Sequence, residues 1–582
     1  MKEKKDISFI LKILIIIIAA GSILAAIKCI FVGLQRDEEY AITLSYRLLF
    51  GDRLLTEVWD PHQTSAFLLS LIEWLFIKLT GQTTYLVLWC RIAGTLIHAC
   101  IAFLLYKAVR LYAPGYISFV LSLVWFGILP KDSVIPEFSL MMAWFIALIA
   151  IVLIRINYLG KNSSKKARVK IMILSALLSA FSFCLVLSYP TCIIIIPFVY
   201  LFLILDRKKN PKAVLLIFPL VFVLLGLGYL GYLLSYMNPA EMICNIKEAL
   251  ISCGSHDFDK ISKGAMLIKD AIAFALISAA AAIISFMIFL IGKLIKKTVP
   301  DKKDIPLIIC MTAIILGTAA QVFFCIFPIF KYMYSFELTY YFWIIMFGAA
   351  VLIKHRKEES NGLLLRFLLI NVLGFCSVIL LTNLSIFTSV AYCVSGIVIS
   401  LLAVYLYAEK MNPKLKKLAV IAILAVAFSN SFFKGFTYSS NDGSNWNITK
   451  ADNLIRKGAA KGIVAEYMTG YIYEKTQDDW DKYIKDGDNV LVWDETSLCY
   501  LNRDVNIASY STISAPTYYV DSLKKYWSEN PDKYPDVIAV SVWFGDDYRM
   551  QDYDHFLDWI ENDFGADEVV EEDYYRYYIR RR

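Results

Sequence analysis

What most constrains this chain is the recurrence of long apolar runs. Segments of about 17–25 residues, enough to cross a bilayer core as helices, recur near 8–33, 83–107, 115–130, 137–157, 170–188, 190–205, 213–236, 269–292, 305–328, 338–354, 364–382, 385–408 and 417–435. The pattern predicts an α-helical polytopic membrane protein of about 13 spans. Composition agrees: 58% of the residues are hydrophobic and only 19% charged, with a mean hydropathy of +0.58, outside the soluble range. The opening MKEKKDISF imitates a signal peptide. The run from Ile7 to Gly33 is too long for an h-region and has no convincing cleavage site, so it reads as a retained first span.

Charge divides the chain in two. Residues 437–582 hold 28 acids against 16 Lys/Arg, a net of −12, leaving 42 Lys/Arg against 23 acids in residues 1–436. The reading is a membrane domain over 1–436 and an acidic soluble domain over 437–582. Orientation follows from the positive-inside rule. The segment 64–80 is about 17 residues long and carries Glu73 and Lys78. If it does not span, the basic loops 158–170, 206–212, 293–304, 354–366 and 409–417 all share the N-terminal side, while 34–63, 131–136, 237–268 and 329–337 face the other way. It is therefore expected as an amphipathic interfacial helix, with the N-terminus cytoplasmic and the soluble domain extracytoplasmic. The Ile- and Lys-rich usage points to a bacterial plasma membrane.

In the soluble domain, NVLVWD (489–494) and DVIAVSVW (536–543) suit buried strands, and 521–530 and 552–564 suit helices. The final YYRYYIRR alternates like an edge strand. Alternating strands and helices predict a mostly parallel three-layer α/β unit. No GxGxxG or P-loop supports nucleotide binding, and nucleic acid is not an expected partner. Asp494 and Glu495 read as a solvated strand end before a site. Ten of the twelve cysteines lie in or next to apolar segments, where Cys acts as a small hydrophobe. Cys244 and Cys253 share one loop and are expected as free thiols. No His/Cys cluster suggests zinc.

The polar interruption over 34–63, LQRDEEYAITLSYRLLFGDRLLTEVWDPHQ, contains six carboxylates and three arginines and begins with Asp37-Glu38 just past the first span. A helix ends in a Gly-Asp turn, Trp-Asp-Pro-His leads into the interfacial segment, and LTG precedes a span containing Arg91. Over about residues 30–112 this arrangement resembles the first extracytoplasmic loop (here 34–82) of the GT-C glycosyltransferases, near the protein O-mannosyltransferase and aminoarabinose-transferase branch. Pro61-His62-Gln63 stands where that family often shows a proline pair, a departure at the acceptor end of the motif.

The resemblance implies a glycosyltransferase that moves a sugar from a polyprenyl-phosphate carrier, within the lipid bilayer, to an extracytoplasmic acceptor. Asp37 would be the general base that such an attack requires, with Glu38 orienting it or holding an acceptor hydroxyl. A helix-capping role for these acids is the plainer alternative. A second acid is expected in LPKDSVIPEFSL, from Asp132 or Glu137; Glu137 is favoured because a helix start there aims it into the cavity. Mg²⁺ or Mn²⁺ between Asp37 and Glu137 is compatible with the fold and not required. The departing phosphate needs cations or donors. Lys331 and Tyr332 resemble the family's Arg-Tyr element, with interfacial snorkelling as the alternative. Arg91 inside a span needs a partner, by the plainer reading Glu73 or an interfacial acid. His62 and His256 lie on the same face. A polymerase or ligase of lipid-linked glycans, or a flippase, is the rival reading.

Overall fold

The computed structural model describes residues 9–60, 62–129, 134–161, 164–206, 211–251, 260–296, 304–326, 333–382, 384–434, 438–441, 444–494, 496–512, 519–542 and 553–581. Every predicted span coincides with helical structure. In chain order the helices are α1 (Phe9–Phe31), α2 (Arg36–Leu49), α3 (Ala66–Thr80), α4 (Leu86–Val109), α5 (Gly115–Gly127), α6 (Phe138–Leu159), α7 (Lys165–Ser188), α8 (Ile195–Leu205), α9 (Ala213–Leu233), α10 (Pro239–Ile251), α11 (Lys260–Lys296), α12 (Ile305–Ile326), α13 (Met333–Lys354), α14 (Glu359–Leu381), α15 (Val394–Met411) and α16 (Pro413–Phe428). Among the described residues nine helices are long and apolar enough to cross a membrane unaided, and three shorter apolar helices accompany them. The 15 residues of α3 reach only about 22 Å at 1.5 Å per residue, short of a bilayer core of about 30 Å.

Packing explains how polar backbone survives among the spans. α6 is the hub, with 89% of its apolar window buried. Pro219 inside α9 has no N–H to bond the Leu215 carbonyl; Tyr200 Oη donates to that carbonyl instead, at 3.2 Å. Small residues bring backbones together: a Cβ on Gly348 of α13 would sit 2.4 Å from Ser400 Cα of α15, a close approach of the kind that holds membrane helices without a hydrophobic drive.

The soluble domain begins with two hairpins, β1 (Tyr438–Asn441) with β2 (Ser444–Asn447) and β3 (Ala451–Leu454) with β4 (Val464–Glu466). Its helices are α17 (Tyr467–Tyr483), α18 (Val520–Glu529) and α19 (Tyr553–Trp559), packed on a five-stranded sheet of β5 (Asn489–Trp493), β6 (Asn506–Ile507), β7 (Val537–Ser541), β8 (Glu568–Glu571) and β9 (Tyr575–Ile579). The strand order is β6-β5-β7-β9-β8. Two expectations are corrected. The sheet is mixed: β5 pairs parallel with β6 and β7, whereas β9 pairs antiparallel with β7 and β8. The C-terminal strand is interior, because its tyrosines supply apolar area to both faces while the acidic, mostly exposed β8 takes the edge.

The loop between α1 and α4 belongs to both layers of this domain. Ile42, Tyr46, Leu69 and Val87 share a core with Val490, Val537 and Tyr577 on one face of the sheet. Leu54, Leu55 and Trp59 share a second core with Trp493, Ile538 and Trp527 on the other. Leu55 adopts φ of +64°, costly for a branched side chain; the Gln63 side chain holds it by accepting from Leu55 N at 2.8 Å. Trp59 stacks on Tyr510 and meets Tyr526 edge-on. Trp59→Ala is expected to destabilise the loop–domain unit by about 3–5 kcal/mol, seen as a lowered unfolding midpoint in detergent. A shift below about 1 kcal/mol would mean that this core collapses around the gap.

Candidate active site

The site is built on the turn that joins α1 to α2. Gly33, at φ of +82°, reverses the chain as α1 ends, and its N–H donates to the Val464 carbonyl of the soluble domain at 2.9 Å. The first turn of α2 then carries Asp37, Glu38 and Glu39, where the helix dipole favours negative charge. Consecutive helical residues point about 100° apart, so the three acids diverge.

Glu38 faces the bundle and is 1% exposed; its partner Arg91, from α4, is 3% exposed. Arg91 Nε donates to Glu38 Oε1 at 2.7 Å, and its Nη2 to Oε2. The same guanidinium donates to the carbonyls of Ile30 at 3.1 Å and Gly33 at 2.6 Å, backbone acceptors left over at the end of α1. Arg91 therefore ties three elements together. Of the two expected kinds of partner, Glu73 or an interfacial acid, the structure gives Arg91 an acid of the first loop, Glu38, and its donors bond the scaffold. Glu38 likewise spends both oxygens on Arg91.

Glu39 turns toward the soluble domain and accepts from Leu498 N at 3.4 Å. Asp37 alone of the three stays half-buried. One turn along, Tyr40 Oη donates to Asp60, which also accepts from His62 N at 2.8 Å and Ser511 Oγ at 3.0 Å. The sequence reading missed Tyr40 and Asp60, although the Trp-Asp-Pro-His string contained the signal. His62 stacks on Phe138 with ring centroids 3.9 Å apart and lies 5.6 Å from the Tyr189 ring. The first loop is thus laid against the start of α6.

Glu137 stands at that start as expected but is turned differently. It is the N-cap of α6, accepting from Ser139 N at 2.8 Å and Leu140 N at 2.7 Å. A carboxylate there satisfies orphan N–H groups, and this capping points it back onto its own helix. Ser139 Oγ meets Tyr392 Oη at 2.9 Å, and Tyr189 and Tyr392 contact edge-to-face, so the segments before α8 and α15 reach the same end. Lys263 in α11, also missed, donates its ammonium to the Leu384 carbonyl. Asp132, His256, Lys331, Tyr332 and Glu495 lie outside the described residues, as does Cys253. Among the described residues no group of three or more His, Cys, Asp or Glu side chains gathers to hold a metal.

Two buried acids stand apart from the loop's ion pair. Asp494, expected at a solvated strand end, is buried, and burial pushes its carboxyl up to about 6 against the lowering pull of Tyr575, Thr496, Tyr574 and Arg36. Glu73 on α3 is fully buried, and neither oxygen has a hydrogen-bond partner among the described residues. Burial drives its pKa well above the usual 4.5.

Opening the buried ion pair with Arg91→Ala is expected to cost about 3–5 kcal/mol, while the double replacement Glu38→Gln with Arg91→Met recovers much of it. A thermal-unfolding double-mutant cycle reads this, and additive losses would contradict it. For Glu73 the sign follows from linkage. Its proton is held by the folded state and released first by the unfolded chain. The stability it contributes is therefore complete below the unfolded pKa and declines as pH rises above about 4.5, by up to about 1.4 kcal/mol per unit. Glu73→Gln removes that slope; an unchanged pH profile of stability would show the acid to be solvated.

Against known proteins, no family model and no curated protein matches the chain. It is similar to the solved structure of ArnT from Cupriavidus metallidurans bound to undecaprenyl phosphate, with 11% identity over 97% of each chain and a TM-score of 0.49. It is also similar to the archaeal oligosaccharyltransferase AglB from Archaeoglobus fulgidus in complex with an inhibitory peptide and a dolichol-phosphate. That likeness has 9% identity over 92% of this chain and 69% of that one, with a TM-score of 0.39. The functional reading therefore rests on this chain's own residues.

Proposed function

We propose that this chain is a membrane glycosyltransferase that moves a sugar from a polyprenyl-phosphate carrier to an acceptor hydroxyl or amine outside the cell membrane. Asp37 is its general base. The observation that carries this reading is the division of labour in one helical turn: Glu38 and Glu39 are buried in structural contacts, while Asp37 stays half-buried at the membrane end of α2. In the reaction the acceptor's O–H or N–H oxygen or nitrogen attacks the anomeric carbon and the C–O bond to phosphate breaks. The proton passes to Asp37, and the carrier leaves as its phosphate. Phosphate departs as an anion, so the base is the group that the chemistry most needs from the protein.

Tyr40, Asp60 and His62 support the reading by shaping the loop between Asp37 and the start of α6. Lys331 with Tyr332 remains the proposed phosphate anchor, Asp132 or Glu137 the proposed second acid, and His256 a proposed substrate-binding residue. The basic loops support an N-terminus in the cytoplasm, with the site and the C-terminal domain outside.

A flippase is disfavoured by where charge sits. The buried pair Arg91–Glu38 and the half-buried pair Arg366–Asp206 belong to helix-end regions. His98, deep in α4, has both nitrogens engaged, accepting from Trp144 Nε1 at 2.8 Å and meeting the Phe126 carbonyl at 3.1 Å, as a structural histidine does. In membrane vesicles supplied with radiolabelled polyprenyl-phosphate sugar, Asp37→Asn is expected to lower transfer by about 10²–10⁴-fold with unchanged expression and unfolding midpoint. Full activity in that variant would overturn the assignment.

A further inference from the structure

The carboxyl end of β5 carries a cluster that the proposed reaction leaves unused. Asp494 is 2% exposed and accepts from Tyr575 Oη at 2.5 Å and Thr496 Oγ1 at 2.9 Å. It lies within the field of Arg36, which acts on neighbouring Tyr574 as well. Arg36 is the first residue of α2 and immediately precedes Asp37. Beyond Asp494 the chain turns and seats itself on the same helix. Thr43 Oγ1 donates to the Ser497 carbonyl at 3.0 Å, and Leu498 N donates to Glu39 Oε2. Glu39 and Thr43 are four residues apart, hence stacked on one side of α2.

The first two turns of α2 are therefore gripped from two sides. Arg91 holds Glu38 from the bundle, and residues 497 and 498 after β5 hold Thr43 and Glu39 from the C-terminal domain. We infer that Asp494 is a positioning residue for the site: through its field on Arg36 and its bond from Thr496, next to that contact, it fixes the rotation of α2, and with it the direction of Asp37. With that grip removed, only the Arg91 contact sets the helix. A displacement of about 1 Å in a reacting group costs as much as 10²-fold in rate. The inference rests on Asp37 being the base, yet the positioning is measurable without any reaction.

The charge on Asp494 strengthens its hold on Arg36. The titratable and charged groups facing it are Tyr574, just before β9, Tyr575 from β9, Cys499 from the turn after β5, and Arg36 from α2, with Glu39 acting on Cys499. Asp494, pushed up to about 6 by burial, gains its proton as pH falls through that value, and the grip weakens with it.

The test is hydrogen exchange of the full-length protein in nanodiscs, followed over residues 34–49. In Asp494→Asn the amides of 36–43 are expected to exchange about tenfold faster or more, with the rest of the membrane domain unchanged. Arg36→Gln gives the same pattern from the opposite partner, and Asp494→Glu restores part of the protection. In the transfer assay Asp494→Asn lowers kcat about 10–100-fold with KM for the carrier-linked sugar within about twofold, and the wild-type acid limb near pH 6 disappears. Unchanged exchange in both variants overturns the inference. So does equal loosening throughout 438–581, which would mark plain unfolding. Selective loosening in a protein that transfers no sugar would sustain the positioning and overturn the proposed function instead.

Discussion

The structure turns on one buried ion pair. Arg91 and Glu38 are removed from water at the end of α1, and two desolvated charges persist there only because their geometry and remaining donors are satisfied. The guanidinium meets that demand by also taking the Ile30 and Gly33 carbonyls. A first helix, a reversing glycine, a second helix and a span are thereby locked into one arrangement. The direction of every side chain in the first turn of α2 follows from it. An Asp next to a buried Glu is no accident of an acidic loop: burying the second acid is what holds the first at the boundary.

The soluble domain is the other half of this arrangement. Its sheet needs cover on both faces, and the first loop supplies part of it on each, with Tyr46 and Leu69 on one side and Leu54 and Trp59 on the other. Arg47 adds a buried link, donating to Asp52 at 2.6 Å and to the carbonyls of Glu57 and Ser509, while Lys533 reaches Asp52 from the domain at 2.6 Å. Loop and domain are thus one folded unit on the end of the bundle.

Much of the fold was legible from the sequence. Apolar run length located each span, because a bilayer imposes one length on every helix that crosses it. Length and the embedded Glu73 and Lys78 separated α3 from the spans, and the acid-rich loop announced itself by composition. Contact partners were not legible. Arg91 had Glu73 or an interfacial acid as candidate partners, and nothing local chooses between elements that meet only in three dimensions. Glu137 was found at the right helix start, but whether such a carboxylate caps its own N–H groups or faces a cavity depends on side-chain rotamer. Asp494 was misjudged because its burial comes with partners that lie elsewhere in the chain, Tyr575 of β9 among them. The tyrosine-rich last strand looked like an edge because tyrosine is read as half-polar, though its ring suits a buried position.

The central claim is that Asp37 acts as a base on an acceptor and not as a nucleophile on the sugar. The anomeric configuration of the product, read by NMR against that of the carrier-linked donor, tests it most directly. A base removes the acceptor's proton as it attacks from the face opposite the departing phosphate, so a single displacement with inversion is predicted. Retention of configuration, with a glycosyl group trapped on the Asp37 carboxylate, would contradict the account.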